Sequence, residues 1–151
     1  MDGTEIIPGV WVGNRRAATG PWLEAHKIQS VFNCTKDLPF HPSVRQYRVP
    51  VDDNLEQIEI QHMALWAPEI ALKILREYRK GPVLIHCHAG MQRSTAACAF
   101  FLLALTGRPL AHVMHMIKSK RPIAFHPSAN FASAMYAFEA ELNTVKNKAT
   151  L

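Results

Sequence analysis

The stretch from Val83 to Thr95 limits the fold more than any other part of the 151-residue chain. Val83, Leu84 and Ile85 follow Gly81-Pro82 as a short apolar run, the pattern of a buried central strand. Gly90 falls in a tight turn. From Ser94 onward, Ala96, Ala97, Cys98, Ala99, Phe100, Phe101, Leu102 and Leu103 read as a buried helix, stopped by Gly107 and Pro109. Cys87 therefore ends a strand, and Arg93 opens a helix. Amides in a helix's first turn have no backbone acceptor and attract anions. If the loop curls back on itself, the amides of His88, Ala89, Gly90, Met91, Gln92 and Arg93 converge on one point, a nest for phosphate or sulfate. Arg93 adds a planar fork for two oxygens of one anion. Cys87 lies beneath, at the positive end of the helix, where thiols ionise more readily than free ones. Ser94 brings a hydroxyl within reach of the sulfur.

On these residues, His86-Cys87-x-Ala89-Gly90-x-x-Arg93-Ser94, the chain resembles the cysteine-dependent protein phosphatases, in their small dual-specificity branch. The resemblance covers about residues 4–142. It implies one catalytic domain over 1–151, of the protein tyrosine phosphatase-like α/β class: a short, mostly parallel central sheet with helices on both faces. It also implies hydrolysis of phosphotyrosine and phosphoserine or phosphothreonine esters through a phosphocysteine, with no metal and no cofactor. Cys87 would attack phosphorus. Arg93 and the amides of residues 88–92 would hold the equatorial oxygens, and Ser94 would help the thiolate leave. His86 and Asn33 would support the loop. Two related branches act on phosphoinositides and on RNA 5′ ends. The first usually carries loop lysines where this chain has His88, Met91 and Gln92; the second more often has Thr at the place of Ser94. A reading of another class is an inactive phosphoprotein-binding module, against which stand intact Cys87, Arg93 and Asp53. Rhodanese-like sulfur transfer also uses a cysteine loop, but the Arg93-Ser94 ending suits phosphate better.

Composition agrees with one globular domain: 48% of residues are apolar, enough for a real core. The apolar stretch from Ala96 to Leu105 is too short to cross a bilayer. The first residues lack a secretion-signal pattern. Three cysteines make no disulfide framework, and a catalytic thiolate needs a reducing compartment. The expectation is a soluble protein of the cytoplasm or nucleus, its oligomeric state open. The net charge of +5 is scattered over Arg15-Arg16, Arg76 to Lys80, Lys118 to Arg121, Lys146 and Lys148. That suits solvated faces better than a nucleic-acid stripe.

Taken in order, Ile6-Ile7 and Val10-Trp11-Val12 flank Pro8-Gly9 as a small hairpin. Pro21 to Ala25 is a short helix, and Ile28 to Thr35 a strand. Asn33 matches the asparagine that braces the family's active-site loop, or simply ends the strand. Alternation puts Asn33 and Thr35 on one face and Cys34 on the other; if Asn33 faces the loop, Cys34 does not, which argues against a resolving thiol for Cys87; Cys98 is packing. In the family, the loop from Lys36 to Arg45 borders the site, so Phe40 and His41 are candidate substrate contacts. After the strand Tyr47-Arg48-Val49, Asp53 fits the family's Pro-x-x-Asp spacing for the acid that protonates the leaving oxygen, and Asp52 is its neighbour. Alternatively, these acids precede a helix capped by an Asn54…Gln57 box. Ile58 to Lys80 is helical, with Leu65, Ile70, Leu72, Ile74, Leu75 and Tyr78 inward and the charges from Lys73 to Lys80 outside. Pro68 kinks this helix or opens a new one. Leu110 to Ser119 is a helix whose His112 and His115 have no ligand partners at metal spacing. Pro127 to Asn143 is the last helix, with Ser128 where the family often has Asn and Asn130 two further on. Lys146 to Leu151 read as a frayed tail.

Overall fold

In the computed structural model, residues 2–149 are described. Gly9, at φ +88°, turns the chain so that β1 (Gly3–Ile7) and β2 (Val10–Gly13) pair as an antiparallel hairpin. A 3-10 turn (Arg15–Ala18) and α1 (Gly20–Ala25) lead to β3 (Ser30–Asn33) and β4 (Arg45–Arg48). Then come α2 (Gln57–Tyr78), β5 (Val83–His86), α3 (Arg93–Thr106), α4 (Leu110–Lys120) and α5 (Ala132–Ala149). The sheet order is β1-β2-β5-β3-β4, parallel at every pairing except the first hairpin. β5 is central, as its unbroken apolar run requires.

Strand alternation sorts the two cores. Val10, Val12, Phe32, Val83 and Ile85 face one large cluster with α2 to α5. Val31 and Leu84 face a smaller one with Leu23, Ile28 and Val44. Helices therefore cover both faces. Each fully buried Val, Leu, Ile or Phe contributes about 1.5–3 kcal/mol. Residues 93–103 of α3 are all buried, so this helix is the hydrophobic axle of the larger layer. It ends where Gly107, at φ +67°, donates its N–H to the Leu103 carbonyl at 3.1 Å.

Several expectations are corrected. In α2 the buried stripe is Met63, Ala67, Ile70, Ala71 and Ile74, whereas Leu65 and Leu72 are 73% and 46% exposed. Glu77 is not outside with the other charges. It is fully buried, receiving Arg45 at 2.6 Å, the Tyr47 hydroxyl, and Lys80 at 3.5 Å. Pro68 lies inside one continuous helix. No capping box forms: Glu56 is the N-cap, and Asn54 Oδ1 accepts the Glu56 N–H at 3.0 Å instead. The last helix begins at Ala132, not Pro127. It continues to Ala149, beyond the expected fraying point, with Lys146 Nζ donating to the Gly107 carbonyl at 2.9 Å; residues 150 and 151 lie outside the described residues. No helix is long and apolar enough to cross a membrane among the described residues.

Candidate active site

The loop from Cys87 to Gln92 joins β5 to α3, and its hydrogen bonds explain its shape. Every carbonyl from His88 to Gln92 is drawn outward. His88 O accepts from Arg15 N at 3.1 Å, and Met91 O from Phe125 N at 2.8 Å. Gln92 O accepts from Thr95 Oγ1 at 3.0 Å. Ala89 and Gly90 are bound by a buried guanidinium: Arg121 donates to Gly90 O at 2.8 Å and Ala89 O at 3.3 Å, and also to Thr4 Oγ1 at 2.9 Å. With the carbonyls turned out, the amides of His88 to Gln92 donate to no protein acceptor among the described residues. Gly90 sits at φ +69°, and a Cβ there would come within 2.5 Å of Arg121 and 2.7 Å of Gly13, so only glycine fits without a shift.

Cys87 is buried at the base, with Ser94 Oγ 3.2 Å from its sulfur. The Arg93 side chain is also buried and donates to the Val51 carbonyl at 3.0 Å, reaching the loop that carries the paired acids. Both residues line a cavity of about 260 Å³ with Asp53, His88, Met91, Gln92 and Asn130. Asp53 Oδ1 accepts from Asn130 Nδ2 at 2.8 Å. Asp52 does not line this cavity. Its carboxylate pairs with Lys36 at 3.1 Å and its N–H goes to Glu59 at 2.9 Å. A second cavity, of about 280 Å³ between β4 and α2, contains no cysteine or histidine.

His86 is buried, with Nδ1 3.3 Å from the Cys87 carbonyl and Nε2 unpartnered among the described residues. Burial lowers its pKa to about 4, so it is neutral at pH 7. Asn33 braces a different segment from the one expected. Its Nδ2 donates to Leu38 O at 2.8 Å and its Oδ1 accepts from Thr35 Oγ1 at 2.7 Å. Its side chain bonds no residue of the Cys87–Gln92 loop among the described residues; Asp37, the neighbour of Leu38, meets His88 Nε2 at 3.4 Å. That hydrogen bond lowers the pKa of Asp37. Cys34 is also corrected. Phe32 pairs with Ile85, so two residues on Cys34 lies beside Cys87 in the same cluster. Burial, and then the charge of Cys87, push its thiol well above the usual value, which keeps it in the inert protonated form. Burial pushes Cys98 up to about 12.

Phe40 and His41 do not line the Cys87 cavity. Phe40 stacks under Arg48, and His41 bonds Ser43 at 2.7 Å. His112 and His115 are exposed, and no group of three or more metal-ligating side chains occurs among the described residues. Sequence reasoning missed Arg121. Its one local signal was an arginine before a helix-ending proline, and Thr4, Ala89 and Gly90, to which its side chain donates, lie 31 or more residues away. The departure from the family pattern at Ser128, and Asn130 two further on, were visible in the sequence, but not the bond from Asn130 to Asp53.

The family model for the dual specificity phosphatase catalytic domain matches residues 10–141. Dual specificity protein phosphatase Mpk3 of Drosophila melanogaster is 30% identical over 146 residues, covering 91% of this chain and 34% of that protein. The chain thus spans about a third of the length of such curated relatives. Dual specificity phosphatase 28 of Mus musculus is 29% identical over 140 residues, covering 91% of this chain and 83% of that protein. The crystal structure of human DUSP28 superposes with a TM-score of 0.78 at 26% identity, covering 95% and 96% of the two chains. A mouse putative dual specificity phosphatase complexed with zinc tungstate gives 0.79 at 26% identity, covering 95% and 90%. With nearly its whole length matched, the chain belongs to the dual specificity phosphatase catalytic-domain family.

Proposed function

We propose that this chain hydrolyses phosphate monoesters on proteins, at phosphotyrosine and at phosphoserine or phosphothreonine, through a phosphocysteine. Cys87 Sγ attacks phosphorus in line with the ester oxygen, so the S–P bond forms as the P–O bond breaks. Asp53 gives its proton to the departing oxygen. Its carboxylate then takes a proton from the water that attacks the phosphocysteine, releasing inorganic phosphate. The Ser94 hydroxyl donates to the sulfur as it leaves. Arg93 and the loop amides hold the equatorial oxygens where charge develops.

The observation that carries this reading is the loop itself, its carbonyls tied outward and its amides left without acceptors above a buried cysteine. Magnitudes support the division of labour. A free thiol is about 3% ionised at pH 7, so complete ionisation gains at most about thirtyfold. Enzymes achieve about 10⁶-fold and more, which leaves most of the effect to Arg93 and the amides. The protein substrate class follows the naming of the relatives as protein phosphatases.

The test is turnover of phosphotyrosyl and phosphothreonyl peptides, a phosphoinositide and a 5′-triphosphate RNA, by the wild type and by Cys87→Ser. We expect wild-type turnover of the peptides. The serine variant should be inactive and still bind phosphate or tungstate, because the nest and Arg93 survive. Preference for the lipid or the RNA would overturn the substrate class. Loss of anion binding in the variant would overturn the preformed nest. No wild-type turnover, with phosphopeptide binding retained, would make this a binding module.

A further inference from the structure

We propose that Asn130 is a positioning residue for Asp53, fixing which carboxyl oxygen carries the transferred proton; this rests on the reading of Asp53 as the acid. The Asn130 side-chain amide donates to Asp53 Oδ1 at 2.8 Å, and Asp53 Oδ2 has no protein partner among the described residues. An oxygen engaged by an N–H donor offers its lone pair. The acid form therefore carries its proton on Oδ2, and Asp53 lines the same cavity as Cys87. That proton passes to the leaving oxygen as the P–O bond breaks. Afterwards Oδ1 is still held, and Oδ2 is the oxygen that receives the proton of the attacking water.

Asn130 can aim Asp53 because it is itself fixed. Its main-chain N–H donates to Gln92 Oε1 at 2.9 Å. Gln92 is buried and donates from Nε2 to Ser128 O at 2.9 Å and His126 O at 3.1 Å. Gln92 belongs to the phosphate loop. One side chain thus ties the loop that grips the phosphate to the residue that orients the acid. The arrangement suits positioning, since catalytic groups fall off steeply when misplaced by about 1 Å. As an exposed hydrogen bond, the Asn130–Asp53 contact adds little to the fold.

Asn130→Ala tests this cleanly, because alanine keeps the main-chain N–H to Gln92. Rates on a phosphotyrosine peptide and on a highly activated aryl phosphate are compared for the wild type, Asn130→Ala, Asp53→Asn and the double variant, with the unfolding midpoint of each. Asp53→Asn tests the underlying reading: it must slow the peptide far more than the aryl phosphate, or the acid assignment fails whatever Asn130 does. Given that result, Asn130→Ala should cost about tenfold in kcat on the peptide and less than about twofold on the aryl phosphate, at an unchanged midpoint. The double variant should match Asp53→Asn alone, since there is no longer an acid to aim. Equal losses on both substrates, or a further loss in the double variant, would overturn the positioning role and leave the acid assignment standing.

Discussion

Two adjacent aspartates carry the same side chain and face different surroundings. Asp52 is tied to Lys36 at 3.1 Å, and its own N–H is taken by Glu59, so it belongs to a surface ion cluster. Asp53 opens on the cavity of Cys87 and Arg93. Acid catalysis matters most when the departing oxygen is strongly basic; an electron-poor phenolate leaves almost unaided. Asp53→Asn should therefore slow phosphotyrosine peptides selectively. Asp52→Asn should leave both substrate classes close to wild type, because exposed ion pairs contribute little. A selective loss in Asp52→Asn, with none in Asp53→Asn, would transfer the role. The same contrast explains what the sequence could convey about single residues. Cys87, Arg93 and Ser94 lie within eight positions, so their spacing alone announces the site. Arg121 and Asn130 act across 31 and 77 positions, on Gly90 and Asp53, and local patterning cannot encode such pairings.

Among the elements, α2 departs furthest from helical rules. Pro68 removes an N–H from the interior of a 22-residue helix, so the Ala64 carbonyl loses its intrahelical donor. Proline there costs about 3 kcal/mol against alanine, offset by about 0.4–1 kcal/mol because proline also restricts the unfolded chain. Pro68 is exposed, so its replacement disturbs no core contact. Pro68→Ala should stabilise the protein by about 2 kcal/mol, raising Tm by about 4–8 °C, with kcat unchanged. A Tm that stays put or falls would mean that the packing of α2 depends on the proline. The inner strands β2, β3 and β5 were legible because each carries adjacent apolar residues that meet the two cores in turn, whereas β4, Arg-Gln-Tyr-Arg, begins two residues before the expected Tyr47. The face of α2 was not. Ile58, Leu65 and Leu72 recur every seven residues yet are all exposed, while small Ala67 and Ala71 are buried. Size and hydropathy favour the wrong stripe when a helix packs closely through alanines. The start of α5 was hidden for another reason: the preceding loop is held by Gln92, more than thirty positions earlier.

For the whole molecule, buried ionisable groups set how stability responds to acid. His86 is held neutral, its pKa lowered by burial to about 4, against about 6.5 in an unfolded chain. Between these values the unfolded chain binds a proton that the folded one refuses, so stability falls as pH drops through this window, by about 3 kcal/mol in all. Glu77 acts lower. Burial works to raise its pKa, but Arg45 and Tyr47 donate to the carboxylate and the net shift is downward. Its contribution is intact above the unfolded value of about 4.3 and is lost as pH falls through the folded one. Because Arg45 and Tyr47 lie on the edge strand β4 and Glu77 on α2, this loss should loosen that edge of the sheet first. Urea unfolding from about pH 8 to about pH 3 separates the two contributions. The wild type should weaken already below about pH 6.5 and again below about pH 4.3. His86→Asn should flatten the upper descent and keep the lower. Glu77→Gln should start from lower stability, keep the upper descent and lessen the lower, whose remainder belongs to Glu59 and Asp37, carboxyls also held below their usual values by hydrogen bonds from Asp52 N–H and Lys36 and from His88. An upper descent that survives in His86→Asn would show that another group, and not the buried imidazole, refuses the proton.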